Sequence, residues 1–96
     1  MYHSAQSIGD LVTAFLREAG MEQPVLEQRL MRLWPSVVSP MAAQLTQRLE
    51  IKNGVLYAYI HSAALKQQLF ECRFDIVKRL NDTAGGHVIN DIRLLG

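Results

Sequence analysis

Two tyrosines and two cations lie close together in the middle of this 96-residue chain. Tyr57 and Tyr59 supply aromatic rings, and Arg48 and Lys52 supply positive charges a few residues earlier. Aromatic faces beside cations suit single-stranded nucleic acid, because any base can stack and every phosphate is negative. The same mixture also occurs on ordinary solvated sheet surfaces, where its members only stabilise one another.

These four side chains share a face only if the chain around them folds as a β-hairpin. Polar and apolar residues alternate over 48–52 and again over 55–61. The Asn53-Gly54 pair between them favours a type I′ turn, since both central residues of that turn need a positive φ. We expect Lys52 to pair with Val55, which places the four candidates on one face together with His61. The core-forming face would carry Leu49, Ile51, Leu56, Ala58 and Ile60.

A second basic set falls on the long helix predicted to follow the hairpin. Ser62 can cap this helix, and an apolar stripe then recurs at helical spacing. The stripe consists of Leu65, Leu69, Cys72, Ile76 and Leu80. The basic set, which is typical of a solvated helix face, consists of Lys66, Arg73, Lys78 and Arg79. Cys72 is predicted to be a buried, inert thiol. Asn81-Asp82 and Gly85-Gly86 should end the helix before a third strand within 88–95.

No catalytic or metal-binding constellation is recognisable. His3, His61 and His87 are far apart and share no ligand spacing, so we predict no catalysis, metal or other cofactor. The single cysteine excludes an internal disulfide. No apolar run approaches the roughly 20 residues that span a bilayer, and the first residues lack a signal-peptide pattern. We therefore expect a cytoplasmic protein without membrane contact.

The length and composition fit one small domain. A chain of this length with 49% hydrophobic residues can bury a single core. The formal net charge of +1 creates no global positive field, so a nucleic-acid site would have to be a local patch. We assign 1–6 to a loose N-terminus and 7–96 to the domain.

Helices are expected ahead of the hairpin. A capping-box-like pattern at Ser7 predicts a first helix over about 8–19. Pro24 suits the first turn of a second helix, whose Trp34 we interpret as core packing rather than as a partner anchor. Pro35 should bend or end that helix, and a short broken helical segment should lead into the first strand. The resulting order predicts an α+β fold of two layers, in which the long helix and the first helix cover one face of a three-stranded sheet.

Several turn and packing residues together resemble the DciA-related family. They are Trp34-Pro-Ser-Val-Val38, Thr46, Asn53-Gly-Val-Leu56, the Ser62-Ala-Ala-Leu65 helix start, Leu80-Asn81 and Asp91-Ile-Arg93. The family pattern has Gly where this chain has Ser39, and His where it has Leu45. The resemblance covers roughly 7–95.

This resemblance implies a small K-homology-like domain, with N-terminal helices followed by β-β-α-β. It also implies a bacterial role in loading or activating the replicative helicase DnaB, together with binding of single-stranded DNA. The Gly-x-x-Gly loop with which K-homology domains clamp a nucleic-acid backbone is absent. Three hypotheses stay open: a noncatalytic replication adaptor, an RNA-binding module, and a protein-interaction or self-association domain that binds no nucleic acid.

Overall fold

The computed structural model describes residues 22–96 of the chain. The loose segment 1–6 and the first helix over 8–19 lie outside the described residues. The elements are α1 (Glu22–Val37), α2 (Pro40–Gln44), β1 (Thr46–Lys52), β2 (Val55–Ile60), α3 (Ala63–Glu71), α4 (Arg73–Ala84) and β3 (Asp91–Leu95). Helices and a mixed three-stranded sheet confirm the predicted α+β class.

The sheet has the order β1-β2-β3, and its hairpin has the predicted register. β1 and β2 run antiparallel, with Lys52 opposite Val55 and Ile51 opposite Leu56. Asn53 and Gly54 have φ angles of 52° and 77°, as a type I′ turn requires. β2 and β3 run parallel, which confirms the helical crossover between them. The pairing of β1 is irregular between Thr46 and Arg48, where the register shifts.

The prediction of one long helix after the hairpin is wrong. The segment divides at Cys72, whose N–H donates to the carbonyl of Leu69 at 3.2 Å and ends α3 before α4 begins. α3 packs on β2 and β3, whereas α4 packs mainly on α1, so the chain has to change direction between them. The spacing of Leu69 and Ile76, both buried, is compatible with a continuous helix and could not reveal the break.

The predicted burial of Cys72 is also wrong, because its side chain is exposed at the junction of α3 and α4. Its Sγ donates to the carbonyl of Gln68 at 3.3 Å. A continuous helix would have pointed Cys72 into the core, but the break at this residue leaves its side chain in contact with solvent. Among the stripe residues, Leu69, Ile76 and Leu80 do reach the core.

α1 does not end at Pro35 but continues to Val37. Pro35 lies in the last turn of the helix, where the missing N–H removes a single hydrogen bond near an end that frays in any case. The Val38 N–H donates to the Trp34 carbonyl at 3.0 Å and closes that turn. Burial of the Trp34 ring, which is 2% exposed, holds the helix in place. The interpretation of Trp34 as core packing is confirmed.

The short helical segment before the first strand is also confirmed. Ser39 caps α2, because its Oγ accepts from the Ala42 N–H at 3.0 Å, and Pro40 occupies the first turn. Thr46 at the start of β1 then ties the helices to the sheet. Its Oγ1 accepts from Nε1 of Trp34 at 3.0 Å and donates to the Ala42 carbonyl at 2.8 Å.

Asn81 does not stop α4, which runs on to Ala84 and ends at Gly85 with a left-handed φ of 92°. The Asn81 side chain instead fastens the loop that leads to β3. Its Oδ1 accepts from the N–H groups of Val88 and Ile89 at 3.0 and 3.1 Å, and its Nδ2 donates to the Ile89 carbonyl at 2.8 Å. This loop therefore buries two apolar side chains without forming a strand.

One hydrophobic core lies between the sheet and the helices. It brings together buried residues of α1, β2, α3, α4, β3 and the loop before β3. They are Leu26, Leu30, Trp34, Leu56, Ala58, Ile60, Leu69, Ile76, Val77, Leu80, Ala84, Val88, Ile89 and Ile92. Within 22–96, no helix has both the length and the apolar composition to cross a membrane.

Candidate nucleic-acid interface

The face of the sheet opposite the core carries the four predicted site residues. Arg48 lies opposite Tyr59, and Lys52 lies opposite Val55. Tyr57, opposite Glu50, lies between these two pairs on the same face. Arg48 and Lys52 are exposed, and the two tyrosines are half-buried. We call this surface, formed by alternate residues of the three strands, the open face. The helices of the described part pack on the other side, where α1 meets the core residues of β2.

Arg48 and Tyr59 form a stacked pair. The guanidinium carbon lies 4.2 Å from the centre of the Tyr59 ring, and Nη2 is 3.7 Å from Oε2 of Glu50. The interaction with Tyr59 and, less strongly, the charge of Glu50 raise the pKa of the Arg48 guanidinium. Arginine is charged at any physiological pH, so this shift leaves the charge unchanged. One side of the Tyr59 ring is thus already occupied by a cation.

A shallow hollow of about 260 Å³ opens on the same face. Strand residues alone line it: Glu50, Lys52, Tyr57, Tyr59 and Leu95. Three of the four predicted residues therefore meet around one concave site, with Arg48 beside it. Within 22–96, the cation–π contacts do not involve Tyr57, whose ring is the more available stacking surface.

β3 also contributes to the open face, which was not predicted from the sequence. Parallel pairing places Arg93 beside Tyr57, Leu95 beside Tyr59 and Asp91 beside Val55. The signal was present, since Ile92 in the core implies that its neighbours point to the other face. What could not be read was which strand β3 joins and in which register.

The open face is almost neutral overall. Besides the three cations Arg48, Lys52 and Arg93, the strands place the carboxylates of Glu50 and Asp91 on it. Nε of Arg93 lies 3.9 Å from Oδ2 of Asp91. Exposed ion pairs of this kind contribute at most about 1 kcal/mol and exchange partners easily. Stacking, more than charge, would have to supply the affinity for a single strand.

The structure distributes the second basic set over separate surfaces. Lys66 lies on α3 beside β3, with Nζ 3.3 Å from the Gly96 carbonyl. Arg73 stands at the junction of α3 and α4, and Lys78 forms an i,i+4 pair with Asp82 at 3.0 Å. Arg79 is exposed on α4. These four cations do not line one common pocket.

The histidines are not gathered into a site. His61 is exposed after β2, and Nε2 of His87 lies 2.6 Å from Oδ1 of Asn90. His3 lies outside the described residues. Residues 22–96 contain no cluster of three His, Cys, Asp or Glu side chains that could hold a metal ion.

The residues behind the family resemblance have structural roles. Trp34 and Thr46 bond α1 to β1, and Asn53 allows the hairpin turn. Ser62 caps α3, since its Oγ accepts from the Leu65 N–H at 3.1 Å. Asn81 fastens the loop before β3. A pattern made mainly of such packing, capping and turn residues specifies a fold.

The sequence was compared with family models and with curated proteins. No curated protein matches it. A family model described as "Dna[CI] antecedent, DciA" matches residues 7–94, which is nearly the whole chain. Because the match spans far more than half of the sequence, this protein belongs to the DciA family.

Proposed function

We propose that this protein is a noncatalytic adaptor in bacterial DNA replication, which contacts the replicative helicase DnaB and binds single-stranded DNA on the open face. Membership in the DciA family supports the helicase contact. The observation that carries the DNA contact is the hollow in which Lys52, Tyr57 and Tyr59 meet. Two aromatic rings beside a cation form a small stacking platform that needs no particular base.

The geometry also sets what kind of binding to expect. The near-neutral open face favours weak, stacking-led contact with a flexible single strand, whose bases can turn toward the tyrosines. A duplex keeps its bases stacked on one another and offers mainly phosphates, which attract this face little. Single-stranded DNA should therefore bind better than duplex DNA of the same sequence.

Fluorescence anisotropy with a labelled oligothymidylate tests the DNA contact. The wild-type protein should bind it saturably at low salt, and Tyr57→Ala should weaken the binding. Phe74→Ala is the matched control, because Phe74 is an exposed aromatic on α4, away from the open face. Absence of binding at low salt, or equal binding by all three proteins, would exclude the open face as the DNA site.

Two further titrations separate the alternative functions. An oligouridylate that binds more tightly than oligothymidylate would favour an RNA-binding module. Purified DnaB captured by the immobilised protein after nuclease treatment would establish a direct protein contact. Capture of DnaB without any oligonucleotide binding would favour the protein-interaction domain, an outcome with which the near-neutral open face is compatible.

A further inference from the structure

A groove of about 470 Å³ runs between α3 and β3. Each wall carries one cation and one large exposed apolar side chain: Lys66 and Phe70 on α3, and Arg93 and Leu95 on β3. Ala63 and Gln67 also line the α3 wall. Two cations and no carboxylate line this groove, so it attracts an anionic ligand that also has apolar groups.

The apolar wall of the groove is exposed to an unusual degree. Phe70 is 50% exposed and Leu95 is 38% exposed, although both are large hydrophobic side chains. Contiguous exposed apolar surface rimmed by polar groups often marks an interaction site. The core does not use these side chains, and both border the same groove.

Phe70 is held in a defined position before any ligand arrives. The guanidinium of Arg73 lies 4.0 Å from the centre of the Phe70 ring and 4.4 Å from that of Phe74. Nε of Arg73 also lies 3.7 Å from Oδ1 of Asp91, which ties the stack to β3. A preorganised aromatic wall loses little side-chain entropy on binding, which favours affinity.

A second groove, along α4, differs from the α3–β3 groove in the charges of its lining residues. The groove along α4 is somewhat larger, about 560 Å³, and it also contains a cation and an aromatic ring. There, however, Lys78 pairs with Asp82 at 3.0 Å, so the charges cancel within the groove. In the α3–β3 groove no lining residue is acidic. Arg93 pairs at 3.9 Å with Asp91, which lies outside the lining, whereas none of the ion pairs among the described residues includes Lys66.

β3 adds a backbone edge to the groove. It is one of the two edge strands of the sheet, and within 22–96 no strand pairs with its far side. Edge strands offer unpaired N–H and C=O groups to an extended chain. At the start of the strand the Ile92 N–H is taken by Oδ1 of Asp91 at 2.8 Å, so the pairing groups lie nearer Leu94.

We propose that the α3–β3 groove binds an acidic peptide segment of a partner protein, in an extended conformation beside β3. Apolar side chains of the peptide contact Phe70 and Ala63, and its carboxylates pair with Lys66 and Arg93. Successive side chains of an extended peptide point to opposite sides, so a segment in which Asp alternates with Leu presents carboxylates on one side and apolar groups on the other. The groove adjoins the open face, because Leu95 lines both the groove and the hollow and Arg93 lies beside Tyr57. Lys66 and Phe70 line the groove and not the hollow, so variants of these two residues test the peptide site by itself.

Titration of the full chain with a fluorescein-labelled peptide of alternating Asp and Leu tests the proposal. The peptide should bind saturably, and Lys66→Glu should weaken it by about tenfold, because charge reversal replaces attraction by repulsion. Phe70→Ala should weaken it by about tenfold or more, since aromatic anchors dominate such contacts. A peptide with Lys in place of every Asp should not bind.

Matched controls keep the result interpretable. Arg79→Glu reverses a charge on α4 outside the groove and should bind the peptide as the wild type does. Melting curves should show that Lys66→Glu and Phe70→Ala fold, and Gln67→Ala at the exposed groove rim should have a smaller effect than either. Absence of saturable peptide binding at low salt, or equal loss with Arg79→Glu, would overturn the proposal. The proposal would also be overturned if the peptide did not bind and Lys66→Glu instead abolished binding of an oligothymidylate.

Discussion

The two faces of β2 differ sharply in burial. Leu56, Ala58 and Ile60 are fully buried, whereas Tyr57 and Tyr59 between them are half-exposed. Successive residues of one strand thus alternate between the core and the open face. β2 therefore carries core side chains on one face and side chains that a ligand can reach on the other.

The forces on the two faces also differ in strength. The core face is held by close packing of buried side chains, where each deleted methylene is felt. The open face is held by exposed ion pairs such as Arg48 with Glu50, which contribute little. Substitutions on the open face should therefore change binding without unfolding the protein, and substitutions on the core face should do the reverse.

The largest expected effect is on the core face. Leu56→Ala should lower the free energy of unfolding by about 2 to 5 kcal/mol, because it removes burial and leaves a cavity beside the helices. Urea denaturation measures this loss. Tyr57→Ala, one residue along the strand, should cost far less. If the two variants are equally destabilised, the division between the faces is wrong.

The turn that sets the register should be nearly as sensitive. Gly54→Val should cost about 1 to 3 kcal/mol, because a β-branched residue is strained at a φ of 77°. A Cβ at this position would also approach Nδ2 of Asn90 to 2.6 Å. The control is Asn53→Gly, which keeps the turn geometry. Thermal melts in which both variants match the wild type would argue against a type I′ turn.

On the open face the larger effect should come from Tyr57. Tyr57→Ala should weaken binding of an oligothymidylate by about 1 to 3 kcal/mol, as expected for one lost stacking contact. Tyr59→Ala should have a smaller effect, since Arg48 already covers one side of that ring. Anisotropy titrations of both variants rank them. A greater loss with Tyr59→Ala would mean that Arg48 leaves the ring when DNA binds.

The hydrogen bond between α1 and β1 should show an intermediate effect on stability alone. Thr46→Val keeps the shape but leaves Nε1 of Trp34 without its acceptor, at a cost of about 1 to 2 kcal/mol. Oligonucleotide affinity at a temperature where the variant is folded should not change. Differential scanning calorimetry and anisotropy together check this, and a change in affinity would connect α1 to the DNA site.

The smallest effect concerns charge on the open face. Lys52→Ala should reduce the slope of log affinity against log salt by about 0.7, the value for one lost phosphate contact with a single strand. Arg79→Ala on α4 serves as the matched control and should leave the slope unchanged. Titrations at several salt concentrations give both slopes. Equal slopes for Lys52→Ala and the wild type would show that Lys52 does not touch phosphate.

The hairpin and its face assignment could be predicted because their signals are local. A turn that needs positive φ at Asn53 and Gly54 leaves one register, and alternation then decides which side chains share a face. Turn and alternation together therefore suffice to place the four candidate residues on one face, and the strand register confirms that placement. Caps such as Ser62 are equally local and equally readable.

Tertiary contacts decided what local signals could not. The break at Cys72 depends on α3 facing the sheet while α4 faces α1, and an apolar spacing that suits one helix suits two. α1 continues through Pro35 because the Trp34 ring is buried and bonded to Thr46. Arg93 reaches the side of Tyr57 only through parallel pairing of two strands that α3 and α4 separate in the chain. The sequence by itself determined the hairpin and its two faces, since propensity and periodicity act between neighbours. Only the tertiary structure decided how helices turn and which distant strands meet, since those choices depend on packing across the whole core.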